Sequence, residues 1–217
     1  MPATTQPDYE QVLAHPVSAY EEGLRFLRGV GMANDTLRRL VRDLEQNGID
    51  YAVIGAVALN QHGYRRFTED IDILLTREGL EQFQKTLVGR GYRPAFPGAT
   101  KKFRSTAENV PVEIITTGEY PGDGKPKAIQ FGNPSESVVV IDGVRTVTLE
   151  KLVELKLASG MTGSGRLKDL ADVQELIRLL PLLREFSETL HEYVQAKFLE
   201  LWDDLHADDG ERNPGSE

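Results

Sequence analysis

Two aspartates spaced i, i+2 stand in the otherwise apolar run Asp70-Ile71-Asp72-Ile73-Leu74-Leu75. A strand sends successive side chains to opposite faces, so this spacing puts both carboxylates on one side. Two acids placed like that repel unless cations or hydrogen bonds compensate them. Hard carboxylate oxygens suit Mg²⁺ or Mn²⁺, above all an ion that carries the phosphates of a nucleoside triphosphate. For the pair taken alone, the competing reading is an edge strand with two solvated acids.

The preceding residues add to the pair. Tyr51-Ala52-Val53-Ile54 is a short apolar run that stops at Gly55-Ala56, the pattern of a buried strand ending in a tight turn. A short helix follows. Its first N–H groups and its dipole favour an anion at the turn, and small residues let a phosphate approach the backbone.

Strand, glycine turn, helix and Asp-x-Asp strand together resemble the signature of the nucleotidyltransferase superfamily. More narrowly, the stretch resembles the minimal nucleotidyltransferases of the AbiEii/AbiGii toxin-like type, whose pattern is G-G-x-A-x-x-x-H-G-x-x-R-x-T-x-D-I-D. Here it stands as Gly55, Ala56, Ala58, His62-Gly63, Arg66, Thr68 and Asp70-Ile71-Asp72. Ala56 is a departure, because that family has Gly or Ser there; a hydroxyl contact to phosphate is lost while the backbone N–H remains. The likeness runs from about residue 34 to about residue 183.

The resemblance implies an α/β (α+β) fold, a mixed sheet flanked by helices. It implies transfer of a nucleoside monophosphate from an NTP to an acceptor hydroxyl on RNA, a tRNA end or a protein. A toxin role with a cognate antitoxin is implied with it. Asp70 and Asp72 become metal ligands, Gly55, Ala56, Arg66 and Thr68 become nucleotide contacts, and a third metal-binding carboxylate, on the nucleophile-side ion, is expected on a neighbouring strand. Glu113, in the strand-like run from 110 to 117, is the position that looks like it, with Val112 and Ile114 on one face and Glu113 and Ile115 on the other. Two metal ions about 3.5–4 Å apart then hold the triphosphate and activate the attacking hydroxyl.

Helical geometry singles out a second group. Over 149–159, at 100° per residue, Lys156 falls on the apolar stripe of Leu149, Leu152 and Val153, while Glu150, Lys151 and Glu154 point elsewhere. A lysine there is paired, functional or snorkelling along its stem. Over 166–180 the stripe is Leu170, Val173, Leu176, Ile177 and Leu180, with Asp169 on it and Asp172 at its margin, so Asp169 is a partner for Lys156. The segments around Leu157-Ala158-Ser159-Gly160 and Arg166-Leu167-Lys168-Asp169 resemble the family's A-x-x-R-x-K-D-x-x-D element with an altered spacer. That likeness gives Lys156 a place at the nucleotide phosphates, and Arg166, Lys168 and Asp169 a place in nucleotide binding. A buried ion pair with a helix cap is the equal alternative.

The elements that must position these groups follow from pattern. One irregular or two short helices are expected over 8–29, broken by Pro16. An amphipathic helix is expected from a cap at Asn34 or Asp35, with Leu37, Leu40, Val41 and Leu44 on its stripe and Gly48 as its stop. Thr76 caps a helix over 77–90. One or two strands lie between 92 and 104, beside the cations Lys101, Lys102 and Arg104. The Gly- and Pro-rich run 118–134 reads as a mobile loop, and Gly122-Asp123-Gly124-Lys125 lacks the frame of a phosphate loop. Asp142-Gly143 between two apolar runs signals a hairpin. A last helix is expected over 183–205. The organisation expected is a helical segment over 1–33, the nucleotidyltransferase-like domain over 34–183, a C-terminal helix over 184–206 and a disordered acidic tail over 207–217.

Composition excludes several alternatives. The chain of 217 residues has no cysteine, so disulfides, thiolate catalysis and Cys-type zinc sites are out. The formal charge of −9 argues against a broad nucleic-acid surface, although six acids and one arginine from Asp203 onward account for −5 of it. No signal-like start and no membrane-length apolar run is visible, and a cytoplasmic protein without a membrane partner is expected. Two other functions fit: a catalytically silent nucleotide-binding or interaction module, and a small-molecule nucleotidyltransferase of the aminoglycoside-modifying kind. The oligomeric state leaves no mark on the sequence.

Overall fold

Seven short runs form one sheet. In the computed structural model, which describes residues 8–211, the strands are β1 (Tyr51–Val53), β2 (Ile71–Leu75), β3 (Tyr92–Pro94), β4 (Lys102–Ser105), β5 (Pro111–Thr116), β6 (Val138–Ile141) and β7 (Val144–Val147). Their order is β3-β4-β5-β2-β1-β7-β6. β4 and β5 alternate buried and less buried residues, while β1 is buried throughout. The sheet is mixed: β2 runs parallel to β5 and β1 parallel to β7, while the other neighbours are antiparallel. The fold is therefore α/β with a mixed sheet and flanking helices, as expected.

The chain forms two compact units. The first comprises residues up to Gln61 together with Arg65–Thr117 and Asn133–Val147, and holds the whole sheet. It contains helices α1 (Tyr9–Ala14), α2 (Pro16–Leu27), α3 (Met32–Gln46), α4 (Gly55–Gln61) and α5 (Arg77–Thr86). Ile71, Ile73 and Leu75 of β2 join Val112 and Ile114 of β5 in the principal hydrophobic cluster, with Leu37, Leu40, Val41 and Leu44 of α3 and Phe83 of α5. Asp72 and Glu113, at the alternate positions, face the opposite side of the sheet.

Several boundaries differ from expectation for identifiable reasons. α3 starts at Met32, not at Asn34 or Asp35, because its first N–H groups are met from elsewhere: Asn34 Oδ1 accepts from the Gly31 N–H at 3.0 Å, and the buried Glu22 carboxylate accepts from the Met32 N–H. Burial pushes the Glu22 carboxyl up, against the pull of that hydrogen bond and of Arg25. α5 ends at Thr86, four residues early, although Thr76 does cap it by accepting from the Gly79 N–H at 2.9 Å. The Asp142-Gly143 hairpin forms as read, with φ of +50° and +77° at its two turn residues.

The second unit comprises His62–Tyr64, Gly118–Gly132 and the residues from Thr148 onward. Its helices are α6 (Leu149–Gly160), α7 (Leu167–Leu179) and α8 (Glu192–Glu211), with short 3-10 turns at Ser164–Arg166 and Arg184–Thr189. α6 packs against both α7 and α8. It is consequently buried on more than one face, and Glu154, expected to point outward, is 7% exposed. Its carboxylate accepts from the His191 N–H at 2.7 Å and pairs with Lys151. That long-range cap explains why the expected helix over 183–205 breaks at Leu190 and restarts as α8. α8 continues to Glu211, through the start of the expected acidic tail; residues 1–7 of the expected N-terminal segment and 212–217 of that tail lie outside the described residues.

Candidate functional site

The site grows from one glycine. Gly55 has φ +64°, a left-handed conformation that costs little only without a Cβ. Space demands glycine as well, since a Cβ there would sit 2.0 Å from Asp72 Oδ2 and 2.9 Å from its Cγ. The Ile54 N–H donates to the Asp72 carbonyl at 3.1 Å, so the end of β1 is tied to the backbone of the residue whose carboxylate lies against the turn. Ala56 follows, 6% exposed, in the first turn of α4.

The loop from α4 to β2 is closed by a residue the sequence reading passed over. Asn60 Nδ2 donates to the carbonyls of Ala56 and Arg66, both at 2.8 Å, and its Oδ1 accepts from the Arg66 N–H at 3.0 Å. The bond to Ala56 holds the side chain against α4, and the two to Arg66 fix the return of the chain toward Asp70. Asn60 occupies an unspecified position of the motif, and its only signal was the Asx tendency to bond nearby backbone. Further along, the Thr68 hydroxyl donates to Asp70 Oδ1 at 2.7 Å, and the Tyr9 hydroxyl donates to the Thr68 carbonyl at 3.3 Å. Burial pushes the Tyr9 phenol up, so it stays a neutral donor.

β5 supplies the neighbouring carboxylate. Asp72 and Glu113 are register partners across the parallel pair, and Glu113 and Lys102 are register partners across the antiparallel pair β4–β5. Lys102, Glu113 and Asp72 thus form a row on one face of three adjacent strands. Lys102 Nζ lies 3.1 Å from Glu113 Oε2, with 56% and 40% of the two side chains exposed. An ion pair so exposed is worth about 0–1 kcal/mol, little enough for a ligand to replace. The adjacent Lys101 donates to the Thr116 hydroxyl at 2.9 Å.

The fit to a divalent ion can be tested on these donors. Among the described residues no three His, Cys, Asp or Glu side chains converge on a common point as a preformed metal cage. β2 begins at Ile71, so Asp70, expected inside the strand, sits in the bend just before it, two residues from Asp72; both nonetheless offer hard oxygens. Mg²⁺ is commonly held by one or two carboxylates plus substrate phosphates. The pair fits a metal that arrives with its triphosphate.

The remaining expected site residues form a second local constellation, in the other unit. Lys156 Nζ lies 2.7 Å from both Asp169 Oδ1 and Asp172 Oδ2, and the Ser159 hydroxyl donates to Asp169 Oδ2 at 2.6 Å. Side-chain exposures of 11%, 16% and 3% for Lys156, Asp169 and Asp172 mark a buried triad. Burial opposes ionisation of Asp169, but Lys156, Ser159 and Arg166 outweigh it and hold the carboxyl below its ordinary value. Arg166 donates to the Gly122 carbonyl at 3.0 Å, and Lys168 is exposed. Gly122 itself has φ +80°, and a Cβ there would lie 2.6 Å from the Thr162 hydroxyl oxygen. Lys127, donating to the Pro121 carbonyl and to Asp123, ties the same segment internally, so the run read as a mobile loop has defined anchors.

No protein-family model matches the chain, and no curated protein matches it. Similar solved structures include the antibiotic-resistance factor ANT(2'')-Ia, 12% identical over 82% of this chain and 95% of that chain, with a TM-score of 0.44. An antigenic nucleotidyltransferase-like protein from Paracoccidioides brasiliensis is 20% identical over 68% of this chain and 74% of that chain, with a TM-score of 0.49. The lincomycin-bound lincosamide antibiotic adenylyltransferase LnuA is 16% identical over 67% and 96%, with a TM-score of 0.46. At these identities the likeness is one of fold.

Proposed function

We propose that the chain transfers a nucleoside monophosphate from an NTP to an acceptor hydroxyl, with Mg²⁺ or Mn²⁺ held by Asp70 and Asp72. The observation that carries this reading is the seating of the Asp72 carboxylate against Gly55, at the register partner of Glu113. The alternative of an edge strand with two solvated acids does not hold, because β2 lies inside the sheet between β5 and β1. When bound, the metal ion neutralises phosphate charge and lowers the pKa of an attacking hydroxyl.

The chain's own residues supply the positioning. Thr68 orients Asp70, Gly55 lets the turn pack directly on the Asp72 carboxylate, and Asn60 fixes the loop between them. In the reaction the acceptor oxygen forms a bond to the α-phosphorus as the bond from that phosphorus to the bridging oxygen of the β-phosphate breaks. Pyrophosphate leaves, and the hydroxyl proton passes to Glu113. Roles for Ala56 and Arg66 in nucleotide binding, and for Lys156, Arg166, Lys168 and Asp169 at the phosphates, rest on the motif resemblance alone. The same resemblance supports RNA, a tRNA end or a protein as acceptor and a toxin role opposed by an antitoxin.

A second reading has its own observation. Glu113 is paired with Lys102; a carboxylate already held by a cation suits a module that binds nucleotide without turning it over. Pyrophosphate release from each NTP with Mg²⁺ or Mn²⁺, with RNA, protein or an aminoglycoside as acceptor, separates the two. Release that requires an acceptor and disappears in Asp72→Asn supports transfer, whereas metal-dependent NTP binding without release under every condition supports the silent module.

A further inference from the structure

The two edges of the sheet are unlike. β3 is three residues long, contains Pro94, which has no N–H to offer, exposes Arg93, and is bridged on its outer side by Val88. These are the ordinary means by which a sheet edge is kept from pairing with another chain. β6, Val-Val-Val-Ile, carries none of them. It has no charge, no proline and no bulge, and it lies at the end of the strand order. Val139 is 40% exposed and Val140 65% exposed, and as adjacent residues they point to opposite faces, so the strand is apolar and open on both sides. Alternate N–H and C=O groups of β6 point away from β7, and no hydrogen bond from another described residue meets them.

Charge at the strand ends identifies the occupant. Exposed acids bracket the run, Glu136 before it and Asp142 after it, neither in an ion pair among the described residues. Their six-residue separation is about 20 Å of extended chain. Arg145, opposite Val140 on β7, is spent on Asp50 at 3.0 Å. A second copy paired antiparallel through β6 would set the Asp142 of each chain beside the Glu136 of the other, two like-charge contacts in one interface. A segment with cations at both ends meets the opposite sign at both, at Glu136 and at Asp142.

We propose that the free edge of β6 is a docking strand for an extended segment of another protein, four apolar residues bracketed by Lys or Arg, which adds an eighth strand to the sheet. Ladder hydrogen bonds provide the attraction and the flanking acids select the partner. The inference does not depend on the transferase reading.

The test uses the full chain and a displayed library of random octapeptides, selected on the protein and counted against Val140→Lys, which restores the missing edge charge at an exposed site. Val17→Lys, at another exposed valine on α2, is the control, and circular dichroism verifies folding of both. Enriched peptides are expected to have β-branched centres and basic ends. Their fluorescence anisotropy should show binding weakened about tenfold or more by Val140→Lys, through the lost cross-strand contact and a charge buried beside it, and left unchanged by Val17→Lys. N-methylation of alternate peptide amides should abolish binding in one of the two registers. No enrichment over Val140→Lys overturns the proposal, as do acidic peptide ends. A concentration-dependent dimer in sedimentation velocity that Val140→Lys abolishes also overturns it, by making a second copy the occupant.

Discussion

Replacing Lys156 by Met keeps the apolar stem and deletes an ammonium held 2.7 Å from two carboxylates. All three side chains are under one-fifth exposed, so water cannot take over the pairing. Breaking a buried ion pair by removing one partner costs about 3–5 kcal/mol. For a chain of this size each kcal/mol shifts Tm by about 2–4 °C, so Lys156→Met should melt about 6–20 °C lower at pH 7. The pH dependence follows from Asp169. Its folded carboxyl lies below the ordinary 3.8, so its contribution is complete above that value and is lost as pH falls through the lowered folded value. Without Lys156 the largest influence holding the Asp169 carboxyl down is gone and burial raises it against Ser159 and Arg166 only, so the Tm gap between wild type and variant should narrow below about pH 4. The triple variant Lys156→Met, Asp169→Asn, Asp172→Asn removes the stranded charges and should recover most of the loss. Differential scanning calorimetry from pH 3 to pH 8 measures all of this. A Lys156→Met protein that melts within 2 °C of wild type at pH 7, or a gap independent of pH, would refute the triad as a structural bond between α6 and α7 and leave the phosphate role as the account of this lysine.

Gly55→Ala should cost about 1–2 kcal/mol from the left-handed backbone and lower transfer by about 100-fold by displacing the Asp72 carboxylate, read as Tm and as pyrophosphate release; near-normal release would contradict the close-packed turn. Asn60→Ala, which removes two hydrogen bonds to the loop and one to α4, should reduce the turnover number by a larger factor than its effect on melting accounts for, and a purely structural role would show lower melting with the turnover number of the folded protein unchanged. Glu108→Gln should destabilise by about 1–3 kcal/mol. Burial disfavours the Glu108 charge, but Arg39, Thr36 and Ser105 hold the carboxyl below 4.5, so this contribution is present above that pH and fades as acid brings the folded carboxyl to protonation. Equal melting of wild type and Glu108→Gln at pH 7 would dismiss that network as a source of stability.

What the sequence disclosed was local. The alternation of Val112-Glu113-Ile114, the Asp142-Gly143 turn, the Thr76 cap and the angular position of Lys156 are each set within a few residues, and each is found. The second acid on Lys156 was placed at a stripe margin, because a helical wheel gives direction but not the reach of a neighbouring helix. What stayed hidden depends on partners distant in the chain. Glu154 caps the start of α8 from 37 residues away, and Glu108 takes Arg39 in two hydrogen bonds across 69 residues. Tyr9, in a stretch too irregular to assign, is 1% exposed and bonds to the loop before Asp70. The register that pairs Asp72 with Glu113 is likewise invisible in sequence, since alternation fixes the face of a strand and not its neighbour.

The central claim is best tested by following each phosphorus separately. The purified chain is incubated with α-³²P-labelled or γ-³²P-labelled NTP, Mg²⁺ or Mn²⁺, and an RNA, protein or aminoglycoside acceptor, beside an Asp70→Ala/Asp72→Ala control. Nucleotidyl transfer predicts that α label moves to one acceptor class, that γ label appears only in pyrophosphate, and that both signals vanish in the control. Transfer of γ label to the acceptor, or α label transferred equally by the control, would contradict it.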